Sequence, residues 1–336
     1  MQQRRGGQMV LQVLCSVAVG GAVLWWMYRG FDWGVVRSTV FGGMHWGWMA
    51  LSLLPGITAQ VFRGVRWRLS LAPLGERPRT STCIHAVFLS YAASLIIPRI
   101  GEVARCGVLR RWEGTSFTKA VGTVVTERLV DSLLVLLVTA VTLVVQLRVF
   151  LHFFRQTGVS ASALWTQFST TGYVVTILLG VITILFLCVF LRRFSHHAKV
   201  RAVVADLKAG VLSLAKVEHK GLFALYTVGI WVSYFLHFYL TFWAFPCTAH
   251  LSMAAALGAF VAGTIAVLVP TPNGMGPWHF AVKTLLVLYA VGAQEAEVYV
   301  LIVHAVQTAL VPLLGVFSLI ALGQPNAARL ASPDRP

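Results

Sequence analysis

Acidic residues are scarce in this sequence. Eleven Asp and Glu stand among 336 residues, and all charged residues together make up only 11%. A soluble domain carries roughly 25%. That density is too low to cover a body of this size in water, and 57% of the residues are hydrophobic. A soluble enzyme, a secreted disulfide scaffold and a disordered regulator are excluded. Strings of about ten residues with period-2 alternation are also missing, which argues against an outer-membrane barrel. Cysteine is sparse: Cys15, Cys83, Cys106, Cys188 and Cys247 show no CxxC or CxxH spacing, so neither a disulfide framework nor a metal site is expected. Motifs for a nucleotide (GxxxxGK[ST]) or a zinc enzyme (HExxH) are absent, as are DxD and HxxxxD patterns. No cofactor is expected, and nothing marks a nucleophile.

What the sequence does contain is long apolar blocks. They predict an all-α fold, a polytopic transmembrane helix bundle. Lys and Arg exceed Asp and Glu by 27 to 11, a formal charge of +16. In a membrane protein this excess belongs to cytoplasmic loops and anionic headgroups rather than to nucleic acid. Residues 9–28 form the first expected span, ending in the aromatic anchor Trp25, Trp26 and Tyr28, with the N-terminus cytoplasmic. Residues 44–62 form the second. Arg63, Arg66, Arg68, Arg77 and Arg79 follow and are expected to mark a cytoplasmic loop. Residues 83–97 are short for a crossing, and Arg99, Arg105, Arg110, Arg111 and Lys119 come after them. A full crossing would put these cations outside, so a re-entrant segment is expected.

Residues 116–146 predict one long helix. Residues 147–171 are read as external and 172–191 as a span. Residues 192–220 are read as an amphipathic helix on the cytoplasmic face, from apolar positions recurring at three- and four-residue steps. Further apolar segments cover 222–245, 251–269, 278–291 and 298–322, for about eight or nine membrane elements in all. Residues 1–322 are expected to form one transmembrane domain and 323–336 a disordered tail.

Two places break the helical pattern alike. One reads Leu95-Ile-Ile-Pro98-Arg99-Ile-Gly101-Glu102, the other Val267-Leu-Val-Pro270-Thr-Pro272-Asn-Gly274-Met-Gly276. Proline removes a backbone donor, and glycine admits positive φ. Backbone opened at membrane depth must be buried in protein or line a wet cavity. Paired interruptions of this kind point to a transporter's binding site; two plain surface turns are the alternative. Pro98, Gly101, Pro270, Pro272, Gly274 and Gly276 are the candidate hinges.

Charge inside the apolar blocks adds to this. Glu127 lies about 11 residues into its helix, roughly 16 Å at 1.5 Å per residue. A charge at the bilayer centre costs about 2.5–3.5 kcal/mol. Glu127 and Asp131 share a face (i, i+4), and Arg128 neighbours Asp131 (i, i+3). With Arg99, Glu102 and Arg105 they are expected to form one interior ion-paired constellation, structural or functional. Lys283 is an isolated intramembrane cation that could meet a headgroup or snorkel. His237, His279 and His304 lie in or near spans without metal-binding spacing.

The stretches from Tyr91 to Arg105, Thr123 to Asp131 and Pro270 to Gly276, in this order, resemble the lysylphosphatidylglycerol synthase transmembrane region. This is a flippase-like family of bacterial and archaeal inner-membrane proteins, and the resemblance spans about residues 9–322. It implies a multi-pass inner-membrane protein that moves a phospholipid, anionic or aminoacylated, between leaflets. The headgroup-binding or translocation residues would be Arg99, Glu102, Arg105, Glu127, Arg128, Asp131, His279 and Lys283. Two departures stand out. The chain ends soon after its last span, without the aminoacyl-transferase domain that some members carry. Where many members have Gly-x-x-Glu after the Pro/Gly motif, this chain has Gly276-Pro277-Trp278-His279, so His279 either replaces the acid or the acidic role is lost. A membrane-embedded transferase using a lipid or polyprenyl-phosphate donor and a non-catalytic envelope subunit are the alternatives.

Overall fold

The computed structural model describes residues 32–98, 100–147, 198–269 and 271–323, with a few positions between 21 and 29. The expected spans at 172–191 and almost all of 9–28, the external stretch 147–171 and the tail beyond 323 lie outside the described residues. So do Arg99 and Pro270. Among the described residues the chain is all-α.

Short α1 (Trp33–Ser38) is followed by α2 (Trp46–Leu71), α3 (Thr80–Ile96), α4 (Gly101–Glu113) and α5 (Phe117–Val145). Then come α6 (Ala198–Leu212), α7 (Lys220–Tyr239), α8 (Pro246–Ala249), α9 (Met253–Ala266), α10 (Pro277–Leu288) and α11 (Ala293–Leu322). Among the described residues three segments are long and apolar enough to cross a bilayer: α5, α7 with its 3-10 extension to Ala244, and α11.

The expected boundary of the second span is corrected. α2 does not stop at residue 62 but runs on to Leu71. Its buried positions Met49, Ser52, Gly56, Gln60, Arg63 and Trp67 recur at three- and four-residue steps. Arg63 and Arg66 therefore belong to the buried stripe of a helix, not to a loop. The loop begins after the helix, and Arg68, Arg77 and Arg79 border it.

The short run after that loop folds back as expected. α3 and α4 pack against each other as an antiparallel hairpin. At its open end Glu113 accepts hydrogen bonds from Arg79 Nε (2.7 Å) and Thr82 Oγ1 (2.5 Å). At its closed end Gly101 lies so close to Ser90 that a Cβ would strike the Ser90 carbonyl. The chain thus enters and leaves on one side. Lys119, at the start of α5, donates to the Leu74 carbonyl (3.1 Å) on that same side.

α5 is polar on the inside and apolar on the outside. Thr123, Glu127 and Asp131 are buried, whereas Leu129, Leu133, Leu136 and Leu137 are all more than half exposed. That inversion suits a helix whose outer solvent is hydrocarbon. α6 crosses α5, where Thr118 Oγ1 donates to Asp206 (2.6 Å) and Thr126 Oγ1 to the Val211 carbonyl (3.0 Å).

Candidate functional site

Three helices converge on one buried ion network. α5 supplies Glu127 and Asp131 from adjacent turns of its inner face, with Arg128 beside them. α2 supplies Arg63 and Arg66, and α4 supplies Glu102 and Arg105. Asp131 accepts from Arg63 Nη1 and from Arg66 Nη1, each at 2.9 Å. Glu127 pairs with Arg105 Nη1 at 3.0 Å and with Arg66 Nε at 3.6 Å. Glu102 bridges Arg105 Nη2 (2.8 Å) and Arg128 Nε (3.0 Å). Arg128 Nη1 closes the chain on Asp131 at 3.6 Å.

Burial explains why the network must be continuous. The side chains of Arg63, Arg66, Arg105 and Glu127 are at most 4% exposed. An ion at that depth is tolerated only when paired and hydrogen-bonded. Aromatic faces complete the shell. Arg105 lies 4.6 Å from the Trp67 ring centroid, Arg66 5.5 Å from that of Phe223 and Arg63 5.8 Å from that of Tyr234. Trp67 is itself fixed, since its Nε1 donates to Thr123 Oγ1 at 2.9 Å.

One edge of the network is open. The Arg128 side chain is 42% exposed and that of Glu102 34%. They stand at a groove of about 350 Å³ whose other walls include Val103, Val121, Val125 and Leu129. A charged rim on an otherwise apolar, outward-facing groove can take a molecule with a polar head and hydrocarbon tails.

The second interruption lies close by, for α3 packs against the 3-10 turn Pro272–Gly274. The turn holds Asn273 at φ 50°, Gly274 at φ 73° and, just beyond, Gly276 at φ 90°. Three positive-φ residues within four positions reverse the chain, and only glycine and asparagine tolerate this well. His279 stands at the third position of α10, and its Nδ1 accepts from the Gly276 N–H at 3.4 Å. A glutamate there would make the same capping contact. His279 thus caps the start of α10 through a neutral ring nitrogen.

Residues 13–315 match the family described as the lysylphosphatidylglycerol synthase TM region. The chain belongs to this family. It is a helical integral membrane protein of a family concerned with lipid handling. No curated protein and no solved structure matches the chain.

Most of the constellation expected from sequence in this family member is brought together: Glu102, Arg105, Glu127, Arg128 and Asp131 are all in the network. Pro98 ends the α3 side of the first interruption, and Gly101 opens α4. Lys283 is corrected. It is not an isolated cation, because it pairs with Glu297 across α10 and α11. Arg63 and Arg66 were not anticipated as site residues. The pattern that would have found them is the continuation of the α2 stripe from Gln60 through Arg63 to Trp67. Among the described residues no group of three or more His, Cys, Asp or Glu could hold a metal ion.

Proposed function

We propose that this protein carries a phospholipid between the leaflets of the bacterial or archaeal inner membrane. One observation supports this reading: among the described residues, a buried ion network of four arginines and three carboxylates is exposed at Arg128 and Glu102, beside an apolar groove. The lipid phosphate approaches Arg128, and the acyl chains lie along Val103, Val125 and Leu129. Glu102 is free to exchange its arginine partner for an ammonium when the headgroup carries one, so both anionic and aminoacylated lipids fit. The two interruptions supply the backbone that moves. The side marked by Arg79, Glu113 and Lys119 is assigned to the cytoplasm by its excess of basic residues, and the N-terminus with it.

The test is movement of a fluorescent phosphatidylglycerol across vesicles holding the full chain. Wild-type protein should accelerate it, and Arg128→Ala should abolish most of that gain while the lipid-facing Leu133→Ala leaves it intact. No acceleration over protein-free vesicles, or equal rates for wild type and Arg128→Ala, would overturn the reading. Appearance of a chemically altered lipid would favour the transferase alternative instead.

A further inference from the structure

Behind the ion network lies a second chamber that the carrier reading does not use. Its volume is about 190 Å³, and it sits between α2, α3, α7, α11 and the Pro272–Gly274 turn. Tyr91 and Tyr234 line it on the side nearest Arg63. Their hydroxyls are 2.6 Å apart, and the Tyr234 ring lies under the Arg63 guanidinium.

The walls of this chamber differ in kind from the network. Gln60, His237, Asn273, Gln307 and Thr308 face it beside the two tyrosines, and His304 completes the ring. Among the described residues that line it, none carries a carboxylate or a guanidinium. Among these described residues a phosphate finds no cation, and an ammonium no anion. The groups are instead neutral donors and acceptors whose orientations are set by their neighbours. Asn273 Nδ2 donates to Thr308 Oγ1 at 2.6 Å, and His304 Nε2 bonds the Asn273 carbonyl at 3.1 Å. His237 Nδ1 bonds the Ser52 carbonyl at 2.6 Å, which leaves Nε2 as an acceptor. Gln307 Nε2 donates to the His237 carbonyl at 2.9 Å.

One group has its hydrogen bond missing. Gln60 is 6% exposed, and its Oε1 has no partner among the described residues. A buried acceptor left unmade costs about 1–3 kcal/mol. It is kept at the chamber wall, on the same stripe of α2 that carries Arg63 one turn later. Such an orphan at a polar cavity has room to be satisfied by a hydroxyl that enters it, from water or from a ligand.

The geometry points to a binding site for a small neutral polyol, with Gln60 Oε1 accepting one hydroxyl and Thr308 and Gln307 bounding the opposite wall. The shared chemistry is a cluster of vicinal hydroxyls, borne by a lipid headgroup or free in solution. The lipid-borne form rests on the carrier reading: the phosphate stays with the arginines, and the uncharged end of the headgroup reaches the chamber only when the Tyr91–Tyr234 hydrogen bond opens. The polyol site would then sort among lipids of equal charge, which the ion network alone does not do.

Binding to the purified full chain in nanodiscs tests this with three lipids. Phosphatidylglycerol carries phosphate and polyol, phosphatidic acid carries phosphate with no headgroup alcohol, and zwitterionic phosphatidylcholine is the reference of zero net charge. Soluble inositol, titrated separately, reports a free polyol. Wild-type protein should prefer phosphatidylglycerol to phosphatidic acid. Gln60→Leu and, from the opposite wall, Thr308→Val should each lower phosphatidylglycerol affinity about fivefold, the worth of one lost hydrogen bond. Both should leave phosphatidic acid binding unchanged, which also shows that the variants are folded. Inositol binding that Gln60→Leu removes would assign the site to a free polyol. Equal affinity for the two anionic lipids together with no inositol binding in wild type overturns the proposal. Failure of the carrier reading looks different: phosphatidic acid would then bind no better than phosphatidylcholine, and Arg128→Ala would change nothing.

Discussion

Arg66 and Asp131 are 65 residues apart in the chain, yet Nη1 of one stands 2.9 Å from Oδ1 of the other. This contact ties α2 to α5 at a depth where neither ion has water to fall back on. Asp131 also holds Arg63, so a single carboxylate bridges two guanidinium groups. The fold of this half of the bundle depends on that sharing.

Asp131→Asn should therefore be costly. Removing one partner of a buried pair costs about 3–5 kcal/mol, because the other ion stays buried. Glu76 pairs with Lys119 at 3.3 Å, and Lys119 is about one-third exposed. Glu76→Gln should cost at most about 1 kcal/mol. Thermal unfolding in detergent compares the two, and equal melting temperatures would mean that the network contributes nothing to stability.

The hairpin of α3 and α4 makes a prediction about sidedness. Arg77 and Arg110 are both exposed near its open end. Single cysteines at these two positions, in a chain freed of its own five, should react with an impermeant reagent from the same side of the membrane. The N-terminus should report that side as well. Labelling of the two positions from opposite faces would show that α3 crosses completely.

Gly276 sits at φ 90° and ψ −75°, a conformation closed to residues with a Cβ. Gly276→Val should cost about 1–3 kcal/mol in stability. In vesicles, once the amount inserted is matched to wild type, its lipid movement should still be lost. A variant that moves lipid normally would make this turn a passive connection.

Lys283 leads to the opposite expectation. Its pairing with Glu297 is partly exposed, so Lys283→Ala should shift stability by no more than about 1 kcal/mol. Phosphatidic acid affinity should stay at the wild-type level. A large drop in that affinity would place Lys283 at the headgroup after all.

Glu127 and Asp131 were legible in the sequence because a carboxylate inside an apolar run has no innocent place to go. The hairpin was legible because Arg105, Arg110 and Arg111 would otherwise have stood on the wrong side. Arg63 and Arg66 were hidden by the same positive-inside reasoning, which reads a cluster of arginines at the end of an apolar run as a loop. Only the three- and four-residue steps of α2 separate the two cases. The polar chamber left only one trace, the Pro/Gly interruption whose Asn273 lines it. Gln60, His237, Asn273 and Thr308 come from four elements, and each alone is an ordinary residue of a helix or turn.

The ion network holds four guanidinium groups against three carboxylates, one formal positive charge at membrane depth. A charge crossing the whole field gains or loses about 2.3 kcal/mol per 100 mV. On the proposed carrier reading, the empty site of the described residues would feel that field as it reorients. Docking a monoanionic phosphate brings the sum to zero, so the loaded site would not. Voltage would then act on the return of the empty carrier rather than on the passage of the lipid. Lipid movement in vesicles clamped by a potassium gradient should depend on voltage only when lipid is below saturation in the trans leaflet.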